Sequence, residues 1–167
     1  MLFRSTTYAI TGHTRGIGKK LYEKLSPDAI GFSRSTGYNI TNPSDRYRII
    51  QESQHCDVFI NNATAEFGQT LLFLELFNSW KNQNKTIINV GSRIAEITLL
   101  PDNKHDLLKY QAEKLILKEM SNRVTGVCNV KYRWFAYVGT EKILKKYSHF
   151  TENDYITEDQ AADIILL

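Results

Sequence analysis

The stretch Thr11–Gly18 reads TGHTRGIG, between the apolar run YAI at Tyr8–Ile10 and a pattern with Ile17, Leu21 and Leu25 at i, i+4 and i+8. A short apolar run followed by helical periodicity predicts a strand, a glycine turn and a helix. Glycines at 12, 16 and 18 let the backbone approach a ligand closely, and the N–H groups that open a helix, with its dipole behind them, suit a pyrophosphate. Gly12, Thr14, Arg15, Gly16, Ile17 and Gly18 are therefore candidate binding residues, Thr14 adding a hydroxyl and Arg15 a cation.

Working outward, Ser26-Pro27 closes the helix, and AIGF at Ala29–Phe32 predicts a second strand. The short YNI segment, Tyr38–Ile40, stands as a third, and Asn42-Pro43 opens a helix through Ile49 and Ile50. Val58–Ile60, running into Asn61 and Asn62, predicts a fourth strand buried on both faces. The segment from Gln69 to Trp80 is apolar around most of its circumference, which predicts contact with another subunit as well as with the sheet. TIINV at Thr86–Val90 and GVCNVKY at Gly126–Tyr132 predict strands five and six, with a helix from about Asp106 to Ser121 between them. Thr157 and Gln160 stand at capping-box spacing for a closing helix. Strands alternating with helices predict an α/β, doubly wound parallel sheet in three layers, a single domain over 1–167.

Composition narrows the function. With 167 residues, 42% hydrophobic, 23% charged and a net charge of +3 without a basic run, the chain reads as an ordinary globular domain. Neither a nucleic-acid partner nor a membrane is expected, and no leader or span is predicted. Cys56 and Cys128 lie far apart, and the four histidines are scattered. No disulfide framework or metal site is expected, and a reducing cytoplasm is the simplest compartment.

The glycine spacing, Gly-x3-Gly-x-Gly, is followed by NNA at Asn61–Ala63 after the fourth strand, Ser92 after the fifth, and YQAEK at Tyr110–Lys114 on the next helix. In that order and at those strand ends, the motifs resemble the short-chain dehydrogenase/reductase family over nearly the whole chain. The resemblance implies a Rossmann-like sheet in the order 3-2-1-4-5-6, here without a seventh strand. It implies a nicotinamide cofactor, with Asn39 and Ile40 near the adenine, Asn61, Asn62 and Ala63 lining the adenosine ribose, and Val138 and Thr140 at the carboxamide. A carboxylate after strand two would bind the ribose diol of NAD, whereas Ser33 and Arg34 stand there, with Arg15 nearby. NADP(H) is the expected cofactor.

Tyr110 and Lys114 fall on one helical face, so both can point toward the strand ends. An ammonium about 5 Å from a phenol, at an effective dielectric near 20, favours phenolate by roughly 3 kcal/mol. That predicts a lowered tyrosine pKa. By resemblance, Tyr110 exchanges a proton with the substrate oxygen, Ser92 positions that oxygen, and Lys114 holds the nicotinamide ribose. Hydride transfer to a small-molecule carbonyl, or from an alcohol, is the expected reaction.

The sequence departs from the family in several places. Thr64 replaces a glycine after NNA, and the helix-four asparagine lacks a counterpart, Ala65 or Glu66 falling near its place. Phe135 and Ala136 replace a Pro-Gly pair, and the substrate-covering insertion is nearly absent. A non-enzymatic NADP-binding sensor or interaction module is therefore an alternative, and epimerase or dehydratase work on a nucleotide sugar a third. By resemblance, the apolar helices predict a homodimer or homotetramer.

Overall fold

The structure is a computed structural model that describes residues 3–99 and 105–167. Its centre is a five-stranded, all-parallel sheet of β1 (Tyr8–Thr11), β2 (Ala29–Phe32), β3 (Val58–Asn61), β4 (Thr86–Val90) and β5 (Asn129–Arg133), in the order β2-β1-β3-β4-β5. Between them run α1 (Gly16–Leu25), α2 (Pro43–Glu52), α3 (Gly68–Trp80) and α4 (His105–Arg123), followed by α5 (Glu141–Lys146) and α6 (Glu158–Ile165). The expected order is reproduced except at one edge. The segment 38–40 forms no strand, so the sheet has five members rather than six. Asn39 is held instead by its own neighbourhood, its backbone N–H donating to Asp45 at 2.9 Å.

Strand residues alternate between two cores, as a pleat of period two requires. Ala9, Phe59 and Ile87 face one side, where Ile49 and Ile50 of α2, Leu72, Phe73, Leu76 and Trp80 of α3, and Leu117 of α4 cover them. Ile10, Ile60 and Ile88 face the other, against Leu21 of α1 and Ala161, Ala162 and Ile165 of α6. Three layers result.

The helix ends follow local chemistry. Asn42 caps α2 by accepting from the Ser44 N–H, with Pro43 at the first helical position. Thr157 and Gln160 form the capping box of α6. Arg46 of α2 is 4% exposed, and its guanidinium binds both carboxylate oxygens of Glu75 on α3 and the Ile40 carbonyl. That bond set fixes the chain between β2 and α2 against α3. No described helix is long and apolar enough to cross a membrane.

The chain leaves β1 for β2 on one side and returns to β3 on the other. A crevice opens at that reversal, outside the carboxyl ends of the strands, where open α/β sheets take ligands.

Candidate active site

The glycine turn closes against the loop after β3. Gly12 and Gly16 have φ of +74° and +59°, backbone that only glycine adopts without strain. A Cβ on Gly18 would lie 1.9 Å from the Gly12 carbonyl oxygen, so the start of α1 packs directly on the end of β1. Thr11 Oγ1 accepts from the Asn62 and Ala63 N–H groups, both at 3.0 Å, and the Asn62 side chain donates to the Thr11 carbonyl at 3.2 Å. Arg15, extended at the cap position of α1, supplies no side-chain cap, so no capping side chain takes up the first-turn N–H groups of α1. His13 is tucked back against Gly31 and Tyr22, and burial lowers its pKa.

A cleft of about 860 Å³ runs from this turn over the end of β2 to the loop after β3. Gly12, Thr14, Arg15, Ser33, Arg34, Asn39, Ile40, Asn62 and Ala63 line it, joined by Phe32, Ser35, Tyr38, Thr64 and Ala65, which the sequence did not mark as binding residues. No carboxylate is among the lining residues. Hydroxyls gather at its β2 end, where Ser33 Oγ lies 2.9 Å from Ser35 Oγ, which donates to Thr14 Oγ1 at 3.3 Å. Arg15 and Arg34 stand exposed beside them.

Asn61 requires a correction. It is fully buried below the cleft, its side chain donating to the Gln69 carbonyl at 3.0 Å and to Asn89 Oδ1 at 2.9 Å. The strand pleat turns successive residues to opposite faces, so Asn61 points into the packing of α3 and α4 while Asn62 and Ala63 reach the cleft. Thr140 lies across from the glycine turn, since a Cβ on Gly16 would be 3.7 Å from its methyl, and its hydroxyl caps α5. Val138 instead bridges Ile156 and puts its side chain in the core.

Beyond the cleft, α4 carries Tyr110 and Lys114. Gln111 donates to the Ile94 and Ile97 carbonyls at 2.9 and 2.7 Å, and Lys118 pairs with Glu96 at 2.7 Å, so the 3-10 turn Arg93–Glu96 is fastened to this helix. Ser92 opens that turn, accepting from the Ile94 N–H, and its hydroxyl stands near enough to the Tyr110 phenol to act on its pKa. Farther along α4, Ser121 receives the Asn89 amide at 2.9 Å and donates to the Leu117 carbonyl. The structure thus brings Ser92, just past β4, near Tyr110 and Lys114 on α4.

Their electrostatics differ from expectation. Lys114 is 2% exposed, and burial pushes its pKa down to about 8, Glu113 countering in part. Its Nζ donates to Thr64 Oγ1 at 2.8 Å and to Gln69 Oε1. It lies 5.4 Å from the Tyr110 ring centre, and the Tyr110 pKa is raised by burial, the nearby Ser92 hydroxyl offsetting only part. The expected lowering of the phenol is therefore not found, because desolvation dominates and Lys114 gives its N–H groups to α3 and its preceding loop. Gln69 was missed by sequence reasoning. The signal was an amide at the opening of a mostly apolar helix, where a polar side chain must find buried partners.

No family model and no curated protein matches the sequence. Solved structures do match the fold. A short-chain dehydrogenase from Burkholderia cenocepacia in complex with NADP superposes with a TM-score of 0.73 at 18% identity, over 99% of this chain and 84% of that one. A short-chain dehydrogenase/reductase of unknown function from Caenorhabditis elegans, with cofactor, gives 0.74 at 17%, over 96% and 86%. BdcA in complex with NADPH gives 0.76 at 12%, over 98% and 86%. The chain has the fold of short-chain dehydrogenase/reductase structures along nearly its whole length.

Proposed function

We propose that this chain is an NADP(H)-dependent oxidoreductase of the short-chain dehydrogenase/reductase type, acting on a small carbonyl compound or alcohol. What supports the reading is the grouping of Ser92, Tyr110 and Lys114 beyond a cleft that Lys114 reaches through its bond to the lining residue Thr64, and that is lined at its β2 end by hydroxyls and arginines and no carboxylate. The fit to a dinucleotide rests on the residues themselves. The first-turn N–H groups of α1 and the closely approached backbone at Gly12 suit a pyrophosphate. Ser33, Ser35, Thr14, Arg15 and Arg34 suit a ribose phosphate.

When bound, NADP(H) supplies or accepts the hydride. Tyr110, kept protonated by burial, serves as the acid for an oxygen that gains charge, and Ser92 orients that oxygen through its nearby hydroxyl. Lys114 supplies a buried cation whose field stabilises the phenolate left behind. Proton and oxygen are thereby placed by groups on two fastened elements, which is the protein's share of the rate.

The rival reading is a non-catalytic NADP-binding sensor or interaction module. What favours it is the raised Tyr110 pKa together with the engagement of Lys114 by Thr64 and Gln69. One experiment separates the two. Oxidation of NADPH, with NADH in parallel, is followed against a panel of aldehydes, ketones and quinones. Tyr110→Phe should lower turnover by at least about a thousandfold, the scale of a lost general acid, while NADPH affinity stays within a few-fold. Unchanged turnover in the variant, or binding without turnover of any panel member by the wild type, selects against the enzymatic reading.

A further inference from the structure

The Gln69 carboxamide is a part of the site that the proton-transfer reading leaves unused. Gln69 is 3% exposed at the first turn of α3. Both protons of its NH2 group have fixed destinations, the Asn61 carbonyl at the end of β3 and the Val90 carbonyl at the end of β4, each 2.8 Å from Nε2. A flipped amide would set Oε1 against two carbonyl oxygens and NH2 against a lysine ammonium, so the strand ends dictate the orientation. Oε1 must face α4, and there it accepts from Lys114 Nζ. Thr64 Oγ1 accepts a second N–H from the loop side at 2.8 Å.

We propose that Gln69 and Thr64 form an acceptor clamp that positions Lys114, with Gln69 as the fixed arm and Thr64 as the adjustable one. The proposal rests on the reading above for the role of Lys114. An ammonium has three N–H groups, and the clamp takes two, which leaves the third to be aimed at a ligand. The clamp also favours the charged form against burial. The titratable groups around Lys114 among the described residues are Glu113 on its own helix, Tyr110 one turn before it, and Glu66 of the loop after β3, which acts on Glu113. Gln69 of α3 and Thr64 of that loop, the two residues bonded to it, are neutral.

The test needs neither cofactor nor turnover. Lysine side chains labelled with 13C and 15N are titrated by NMR in the full chain, Lys114 being assigned by its loss in Lys114→Met. Thr64 is exposed, so Thr64→Val removes one acceptor without opening the core. It should lower the Lys114 midpoint by about one pH unit, the scale of one charge-assisted hydrogen bond, and Thr64→Ser should restore it. Gln69→Met should shift the midpoint the same way. An unmoved midpoint in Thr64→Val, or in folded Gln69→Met, overturns the clamp. Should Gln69→Met not fold, the wild type reports on that arm directly. Its Gln69 amide protons should exchange with solvent at least about a hundredfold more slowly than those of exposed glutamines, and fast exchange overturns the proposal. A protein that shows the clamp yet turns over no carbonyl compound refutes the enzymatic reading alone.

Discussion

Lys114 shows how a single residue can cost stability where it serves a site. Its pKa is about 8 in the fold against an ordinary 10.5, because burial disfavours the ammonium. Below about 8 the folded protein carries the full cost of a buried charge. Between about 8 and 10.5 the unfolded chain binds more protons than the folded one, so the Lys114 contribution rises with pH through that window. Cys56 and Tyr132, pushed up by burial to about 11 and about 12, titrate in the opposite sense. The difference between wild type and Lys114→Met therefore isolates the residue. Urea unfolding at successive pH values should show wild type gaining on the variant from pH 8 upward, and a constant difference would contradict the assignment. Motif spacing placed Tyr110 and Lys114 on one face, but the direction of the tyrosine shift was not legible. It depends on how deeply each group is buried and on which acceptor the lysine prefers, and neither has a local pattern.

At the scale of elements, the strands and helices were mostly legible because their signals are local. The glycine turn, the Asn42-Pro43 start and the Thr157–Gln160 box are chemistry of neighbouring residues, and they appear where the sequence puts them. The segment 38–40 was not legible as a loop. Three residues of mixed character can lie along an edge or turn away, and the bond from the Asn39 N–H to the Asp45 carboxylate holds them turned away. Asn61 was misplaced for a related reason, since a shift of one residue along a strand exchanges cleft for core. Arg46 holds the turned-away segment. Its side chain is 5% exposed while Glu75 is 42% exposed, so the ion pair itself is worth little and the buried bond to the Ile40 carbonyl carries more. Arg46→Ala should lower unfolding free energy by about 2 kcal/mol and loosen the Asn39–Ile40 wall of the cleft. Denaturant midpoints and NADPH affinity check both parts, and a loss under about 0.5 kcal/mol would assign the segment's stability elsewhere.

For the whole molecule, the pairing of copies remains the expectation the sequence raised. Leu71 and Leu74 on α3, and Leu115 and Ile116 on α4, are left exposed after the core has formed. We propose that they meet a second copy of this chain. Sedimentation at micromolar concentration should give a dimer or tetramer, and Ile116→Glu should give a folded monomer. A monomeric wild type would remove the basis for the proposal. The inner face of α4 bears on that assembly. Apolar residues stand on several sides of the helix, with Leu117 inside and Leu115 and Ile116 outside, so hydrophobicity alone leaves its rotation nearly degenerate. What breaks the degeneracy is a row of keys at 111, 114, 118 and 121, the first and third engaging the 3-10 turn and its end, the second the loop after β3 and α3, and the last β4. The same row sets the azimuth of Tyr110 toward Ser92 and, in the proposed assembly, of Ile116 toward the second copy. If Tyr110 is the acid and Ile116 a subunit contact, as proposed, their alignments are one mechanical adjustment, and a change that frees the helix to turn disturbs both together.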